Sequence, residues 1–549
     1  MNRSSPKVRR TAERSISCMD TPPEVLRVKP RRAVVVHTPG MVTIITSRRT
    51  PGRRHTDPHR RAGSARLSPA ARAAGNSGEC SMEYSELHDY PIPAGIVTTW
   101  TPVASPAAWR DDDRDLSYDH EAHLGRDADG AWIGSAMRLP GPYDPDVLRR
   151  ALRAWIVRHE VLRTTVQRRD VGWARRTAET DGVDVRQEVL GHRSGGEARE
   201  EVAQFLAALS PVVWPHCVFA TVVDPDASGF VLVFGADHSV MDAYSQLLWF
   251  AEMADLYRRA GTGADDAELA VLDVGSHVDF AESDRRSGDD IADDHVAVTT
   301  WREFLTLDGT GAPVDTPVFP HHPDVAGGAA ATACPQRSLS TWVLSGVSTD
   351  LLAGQLRQRG VGLQSAGIAA LALAARRRSG IERLRFVLPL HTRHDPRHVG
   401  AVGWYVGLCP IDLDLTGATT VAEAVQRADQ AVRGAKDLAR HPFPRIAELL
   451  GIDDTPHFVV SYVDVRHVPG AEQWPAQQAR ALRSPAHAPD EVYLWLIRSH
   501  VGLNISARYP GTDLADVAMR GYVANARAVL SEMVWDEQPE QLAATGSAR

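Results

Sequence analysis

The sequence predicts a mixed α/β (α+β) protein built from two lobes, and three observations carry that prediction. From Met82 onward, short apolar or alternating runs take turns with stretches of helical period. Two intervals, 259–296 and 307–337, are rich in Asp, Gly, Pro and small residues, the composition of loops and linkers. The patterned region beyond them repeats in kind the region before them. With 549 residues, 43% of them hydrophobic and 24% charged, the chain has apolar side chains enough for more than one core. The expected organisation is a basic extension over residues 1–81, an N-terminal lobe over 82–295 and a C-terminal lobe over 296–540.

The extension is a different polymer from the rest. It holds seventeen Lys and Arg against five Asp and Glu, so with −8 overall and +12 here the remainder carries −20. Runs such as "KPRR" and "SRRTPGRRHTDPHRRAG" offer few large apolar residues to offset the entropy of ordering, which predicts disorder. A nucleic-acid-binding tail or an Arg-rich transit peptide is the functional alternative. The simpler reading is an extension with no function of its own, as when translation is assigned from too early a start. The longest bilayer candidate, "LQSAGIAALALAARRRSG", is cut by Ser365 and Gly367 and ends in arginines, so a soluble chain is expected. Cys18, Cys80, Cys217, Cys334 and Cys409 lie far apart, which fits reduced thiols in a cytoplasm.

In the first lobe, "AWIGSAMRL" alternates as a strand. "DPDVLRRALRAWIVRHEVLRT" follows with Val147, Leu148, Leu152, Ile156 and Leu162 at helical spacing, and an N-cap at Asp144 or Asp146. "WARRTAE" and "VDVRQEV" read as strands, "GGEAREEVAQFLAAL" as a helix, and "VFATVV" and "GFVLVFGA" as strands. In the second lobe, strand "STWVLSG" precedes helix "STDLLAGQLRQRG" and an Ala-rich buried helix over 363–377. Strands "RLRFVLPLH" and "YVGLCPIDLDL", helix "TVAEAVQRADQAVRGAKD", strand "HFVVSYVDV", hairpin "EVYLWLIRSHVGLNISARY" and a closing helix "DLADVAMRGYVANARAVLSEM" complete it.

The chemistry concentrates in "FGADHSVMDAYSQ", residues 234–246, where His238 and Asp242 lie between the strand "GFVLVF" and a helical stretch. A strand end followed by a helix start is where an α/β sheet presents polar side chains to a crevice. Histidine, with an ordinary pKa near 6.5, is an effective base close to neutral pH. On a helical turn, a spacing of four would set Asp242 beside His238 as the orienting member of a triad.

Several ordered motifs resemble the condensation domains of nonribosomal peptide synthetases. Arg158, His159, Glu160, Leu162, Arg163 and Thr164 reproduce an R-H-E-x-L-R-T signature, "DHSVMDA" resembles H-H-x-x-x-D-G, and "LPLHTRHDPRHVGAVGWYVGLCPIDL" resembles the later segment in which an Arg precedes a Val-Gly pair and a strand. The opening "YPIPAGIVTTWTP" is similar to the start of the free-standing polyketide-associated acyltransferases of actinobacterial glycolipid pathways. The resemblance spans about residues 82–535.

It implies two chloramphenicol-acetyltransferase-like lobes in a V around a central tunnel, with His238 midway as general base or as a positioning and charge-stabilising group. It implies that Asp242 points away from the tunnel to pair with an Arg of the second lobe. Arg393 matches that position, with Arg397 as the second candidate. Asp237 stands where the family has its first His, and Ala243 replaces a Gly beside the channel. The added methyl is expected to narrow the acceptor side. Asp237, Ala243, Ser461 and Tyr462 are the expected tunnel residues, Ser461 and Tyr462 with strand alternation as their structural alternative. Arg158, His159 and Arg163 are expected to support the fold, and Trp404 and Tyr405 to serve the core or lobe interface.

The implied reaction moves an acyl chain from a thioester to a hydroxyl of a sugar or lipid, with an acyl carrier protein or polyketide synthase as donor. No adjoining adenylation or carrier segment is seen, which favours this over peptide assembly. The alternatives are an amide-forming condensation enzyme and a catalytically silent recruitment module, the latter disfavoured by the presence of His238. Thioester chemistry calls for no cofactor. His391, His394 and His398 have spacing for a metal only on a helix, which Pro396 forbids, so no metal site is expected. The pair "HH" at 321–322 reads as surface loop. A protein beginning at Met82 is expected to match the full chain in melting temperature and turnover, and a loss of several degrees would refute the reading of 1–81 as dispensable.

Overall fold

Among the described residues, three sheets take up the strand-forming runs. The computed structural model describes residues 84–126, 130–271, 273–306, 316–320, 335–453 and 455–535, all within one unit, Asn76–Arg549. The extension 1–81, Cys18, Cys80, Cys334 and the 321–322 histidines lie outside the described residues. The first sheet has seven strands, in the order Tyr84–Glu86, Arg480–Arg483, Trp132–Leu139, Phe230–Asp237, Cys217–Val223, Gly95–Ala104 and Val183–Arg193. The second has six: Gln336–Ser345, Gly502–Pro510, Val492–Arg498, Phe458–Asp464, Arg383–His391 and Val406–Asp414. A small third sheet pairs Trp109–Asp112, Trp173–Ala178 and Thr164–Arg168. Mixed helices and sheets of this kind are the α/β class the sequence predicts.

Local chemistry explains the elements that lead to the site. The helix Pro145–Arg158 starts where Asp144 accepts hydrogen bonds from the N–H groups of Asp146 and Val147, with Pro145 at its first position. It buries Leu148, Leu152, Trp155 and Ile156 and stops at Arg158. The helical period continues on paper to Leu162, but the chain tightens into a 3-10 turn at Glu160–Arg163 and becomes a strand at Thr164. Three side chains of the R-H-E sequence are hydrogen-bonded across to other elements at that point, and the helix gives way to those contacts.

One interval departs from the sequence reading. The acidic stretch expected to be loop contains the helix His277–Asp289, capped by Ser276. Its apolar face is thin, and His277, Val278, Ala281 and Gly288 are its buried residues. A second helix, Tyr118–Leu124, buries His120, His123 and Leu124. Polar residues on its inner face hide its amphipathic period.

The strand Arg480–Arg483 is the topological surprise. It follows the Phe458–Asp464 strand of the six-stranded sheet in sequence, yet pairs antiparallel with Trp132–Leu139 and parallel with Tyr84–Glu86 in the seven-stranded one. Ala479, Ala481, Trp474, Val465, Val468 and Val402 join the core that surrounds Trp155, Phe234 and Trp249. The Gln246 amide fastens this crossing strand by donating to the carbonyls of Gly134 and, at 2.7 Å, Leu482. Gln246 is 1% exposed. Replacing it with Leu strands buried carbonyls, and a loss of about 1 to 3 kcal/mol is expected in urea denaturation. An unchanged midpoint would mean that the strand docks without it.

Candidate active site

Two aspartates build the loop that carries His238. The strand Phe230–Asp237 is buried throughout and ends on Asp237, whose Oδ1 accepts from the N–H of Ser239 at 2.8 Å and starts the single turn His238–Val240. Five residues on, Asp242 Oδ1 accepts from the N–H of Ser245 at 2.7 Å and caps the helix Ala243–Gly261. Each carboxylate satisfies a donor that the turn leaves open. His238 is thereby held between two capped turns.

Asp242 has no lone pair to spare for His238. Arg393 grips it with both terminal nitrogens, Nη1 to Oδ2 at 2.7 Å and Nη2 to Oδ1 at 3.0 Å, and the N–H of Tyr405 reaches Oδ2 at 2.9 Å. Arg393 Nη2 also donates to Ser245 Oγ at 2.6 Å and to the Ala401 carbonyl at 3.3 Å, and the guanidinium lies over the rings of Tyr405 and Tyr244. Asp242 is 0% and Arg393 6% exposed. Burial alone would raise the carboxyl pKa, but Arg393 and the two N–H groups hold it below its ordinary value. Asp242 is a bolt between the motif loop and the chain around 393–405.

The segment 401–405 is fixed at four successive residues. The N–H of Val402 donates to His159 Nδ1 at 3.4 Å, and Gly403 exchanges hydrogen bonds with Ser245 Oγ, its N–H at 3.1 Å and its carbonyl at 3.0 Å. His277 Nε2 donates to the Trp404 carbonyl at 3.0 Å, and the Tyr405 N–H reaches Asp242. Gly403 is required there, because a Cβ would stand 2.3 Å from the His277 ring. His159 donates from Nε2 to Glu252 at 2.9 Å, where Trp155 and Arg158 converge. Glu160 receives Arg114 and Ser276, and Arg163 donates to the Ala178 carbonyl at 2.6 Å. The R-H-E sequence thus braces the site from outside.

His238 itself sits against Trp404, ring centroids 4.3 Å apart. Its Nδ1 is buried without a hydrogen bond of ordinary geometry. Desolvation, with a smaller contribution from His123, pushes its pKa down to about 4, against the pull of its own carbonyl, Asp237 and Asp242. The imidazole is therefore neutral at pH 7. With the proton on Nδ1, facing that carbonyl, Nε2 keeps its lone pair.

The other residues singled out in the sequence fall in several places. Asp237 is 0% exposed and turned inward, where Oδ1 also accepts from His123 Nε2 at 3.0 Å. Ala243 is the first residue of the capped helix and packs against the core around Trp249. Ser461 and Tyr462 alternate along Phe458–Asp464 and face opposite ways, with Tyr462 packed into the core of the six-stranded sheet. Arg397 pairs with Asp395 at 2.7 Å and takes no part. His391 and His394 are exposed, and among the described residues no group of His, Cys, Asp and Glu has a metal-holding arrangement. Tyr405 is core, but Trp404 is half-buried against His238. His123, Ser245 and His277 carried no sequence signal, since each acts through a contact more than a hundred positions away.

The condensation-domain family model matches residues 126–463, which include every bond of the Asp242–Arg393 bolt. The chain belongs to the condensation-domain family. Acyltransferase PapA3 of Mycobacterium tuberculosis is 21% identical over 490 residues, 82% of this chain and 99% of that protein. A linear gramicidin synthase of Brevibacillus parabrevis is 24% identical over 350 residues, 60% of this chain, and the chain spans only 6% of that synthase polypeptide. Among solved structures, PapA2 acyl transferase shares the fold with a TM-score of 0.73 at 19% identity, covering 83% of this chain and all of that one.

If the bolt neutralises two buried charges, replacing either Asp242 or Arg393 should destabilise by about 3 to 5 kcal/mol, with the double replacement costing less than the sum. Additivity in a double-mutant cycle would refute the coupling.

Proposed function

We propose that the protein transfers an acyl chain from a carrier-bound thioester to a hydroxyl of a sugar or lipid acceptor, with His238 as the base. The carrying observation is His238 itself: a half-buried, neutral imidazole whose Nδ1 has only its own carbonyl for company and whose Nε2 lone pair is free. The acceptor oxygen attacks the thioester carbon as Nε2 takes the hydroxyl proton. The tetrahedral oxyanion then expels the thiolate, which recovers that proton from the imidazolium. An ester and a thiol result, and the base is regenerated. Nearby carboxylates at Asp237 and Asp242 favour the transient imidazolium. The donor in this reading is an acyl carrier protein or polyketide synthase. The likeness to the acyltransferase PapA3 over nearly its whole length supports acyl transfer.

An amine acceptor is the second reading, supported by the similarity to two linear gramicidin synthase polypeptides. The same base and thioester would give an amide. Mass spectrometry of products from mixed acyl thioesters, offered sugar and amine acceptors together, separates the two. Amide formation alone would overturn the ester reading.

His238→Ala should lower turnover by about two to four orders of magnitude with much less effect on substrate binding. Near-normal ester formation would remove His238 from the reaction. Because the folded pKa lies near 4, the acid limb of kcat/KM, corrected for folded fraction, is expected well below the ordinary histidine value of about 6.5. A limb at 6.5 would show that the imidazole is not held dry.

A further inference from the structure

A catalytic imidazole is ordinarily aimed by a hydrogen-bond acceptor at its second nitrogen. His238 draws none from a neighbouring side chain: Nδ1 has only the carbonyl of its own residue, and both oxygens of Asp242 belong to Arg393 and to main-chain N–H groups. What the ring does have is a second imidazole across a shared wall. His123 lies 5.6 Å from Trp404 and 6.4 Å from His238, centroid to centroid, and Trp404 lies 4.3 Å from His238. The three rings form a closed triangle. Two of its corners are anchored independently: the backbone of Trp404 by His277 and its neighbours in the 401–405 segment, and His123 by Asp237 Oδ1. Asp237 adjoins His238 in sequence, so one carboxylate both starts the His238 turn and holds the ring that packs beside it.

We propose that Asp237 and His123 are positioning residues of the reaction centre, which aim His238 by ring packing through Trp404 and exclude water from its Nδ1 side, in place of a side-chain hydrogen bond. Asp237 serves as the anchor of His123. The hydrogen bond from His123 keeps the buried carboxylate partnered, and the His123 ring fills the space beside His238. The observation that desolvation is the largest influence on His238 agrees with a ring kept dry by its neighbours. The titratable and charged groups facing these two histidines are Asp237, the Asp242–Arg393 pair, His120 on the helix of His123, His216 and, beyond His120, Arg175 and His277. This inference rests on His238 as the base of the proposed reaction.

Two substitutions separate ring from hydrogen bond. His123→Gln can still donate to Asp237 but has no ring. His123→Phe keeps a ring but cannot donate. The probe is the imidazole Cε1–H resonance of His238 in the full-length protein, assigned by its loss in His238→Gln and followed against pH without substrate. In the unaltered protein and in His123→Phe it should titrate below about pH 5, and in His123→Gln above about pH 5.5, closer to an ordinary histidine. Turnover in His123→Gln should fall by about 10- to 100-fold with KM within about threefold, the scale of a misplaced catalytic group. An unchanged His238 titration in His123→Gln, or a shift in His123→Phe as large as in His123→Gln, would overturn the proposal. Should His123→Phe fail to fold, the Gln variant decides alone. Because the titration needs no acceptor, it stands apart from the acyl-transfer reading, which fails instead if no ester is formed by the unaltered enzyme.

Discussion

The buried ion pair between Asp242 and Arg393 is the constraint on which the rest of the site depends. A carboxylate removed from water has to find equivalent partners within the protein, or it loses its charge. Asp242 finds four: two from one guanidinium, one from Ser245 and one from Tyr405. Arg393 lies 151 positions away in sequence, so the loop with His238 cannot take its shape until distant parts of the chain have met. The crossing strand Arg480–Arg483 and the shared core around Trp249 serve the same end, since they hold those parts together over a wide area.

The bolt also explains why His238 is not part of a triad. With Asp242 saturated, the nearby carboxylate left among the described residues is Asp237, and its Oδ1 caps a turn and holds His123. The imidazole is left to packing and desolvation. Dryness keeps it neutral and keeps its lone pair available at pH 7. It also weakens it as a base, since a lower pKa reduces the driving force for taking a proton. Asp237 and Asp242 offset part of that loss once positive charge develops on the ring, because Coulombic attraction is strong in a dry site.

Much of the fold was legible, because strands and amphipathic helices announce themselves by period: the motif strand, the helix starting after Asp144 and the terminal hairpin all lie where the apolar pattern puts them. The helix His277–Asp289 was hidden, since its composition is that of a loop and one of its inward residues is a histidine. His238, Asp242 and Arg393 could be picked out through motif resemblance, which stands in for contacts that spacing alone does not reveal. His123 and Trp404 could not. No local pattern announces that residue 123 will meet residue 237, or that one Trp in a run of core residues will lie against an imidazole. Asp237 is a short carboxylate beside the motif histidine, and in the structure it caps the turn and holds His123.

A dry site has a thermodynamic consequence that reaches beyond catalysis. Burial, the largest influence in each case, lowers the pKa of His238 to about 4 and that of His277 to about 3, and lowers His120 and His216 as well. Each of these side chains binds its proton near pH 6.5 once the chain unfolds. Below that pH the unfolded state therefore holds more protons than the folded one, so their contribution is intact above about 6.5 and is lost as pH falls toward the folded values. Asp284, half-buried and raised to about 7 mainly by burial, acts in the opposite sense, since its folded form keeps a proton that the unfolded chain releases above about 3.8. Asp284 and Glu491, whose carboxyl burial also raises, are two such groups against the four lowered histidines. The same exclusion of water that keeps His238 neutral for chemistry thus makes the fold around it sensitive to acid, and the Asp242–Arg393 pair is what still holds the loop in place as the histidines begin to favour unfolding.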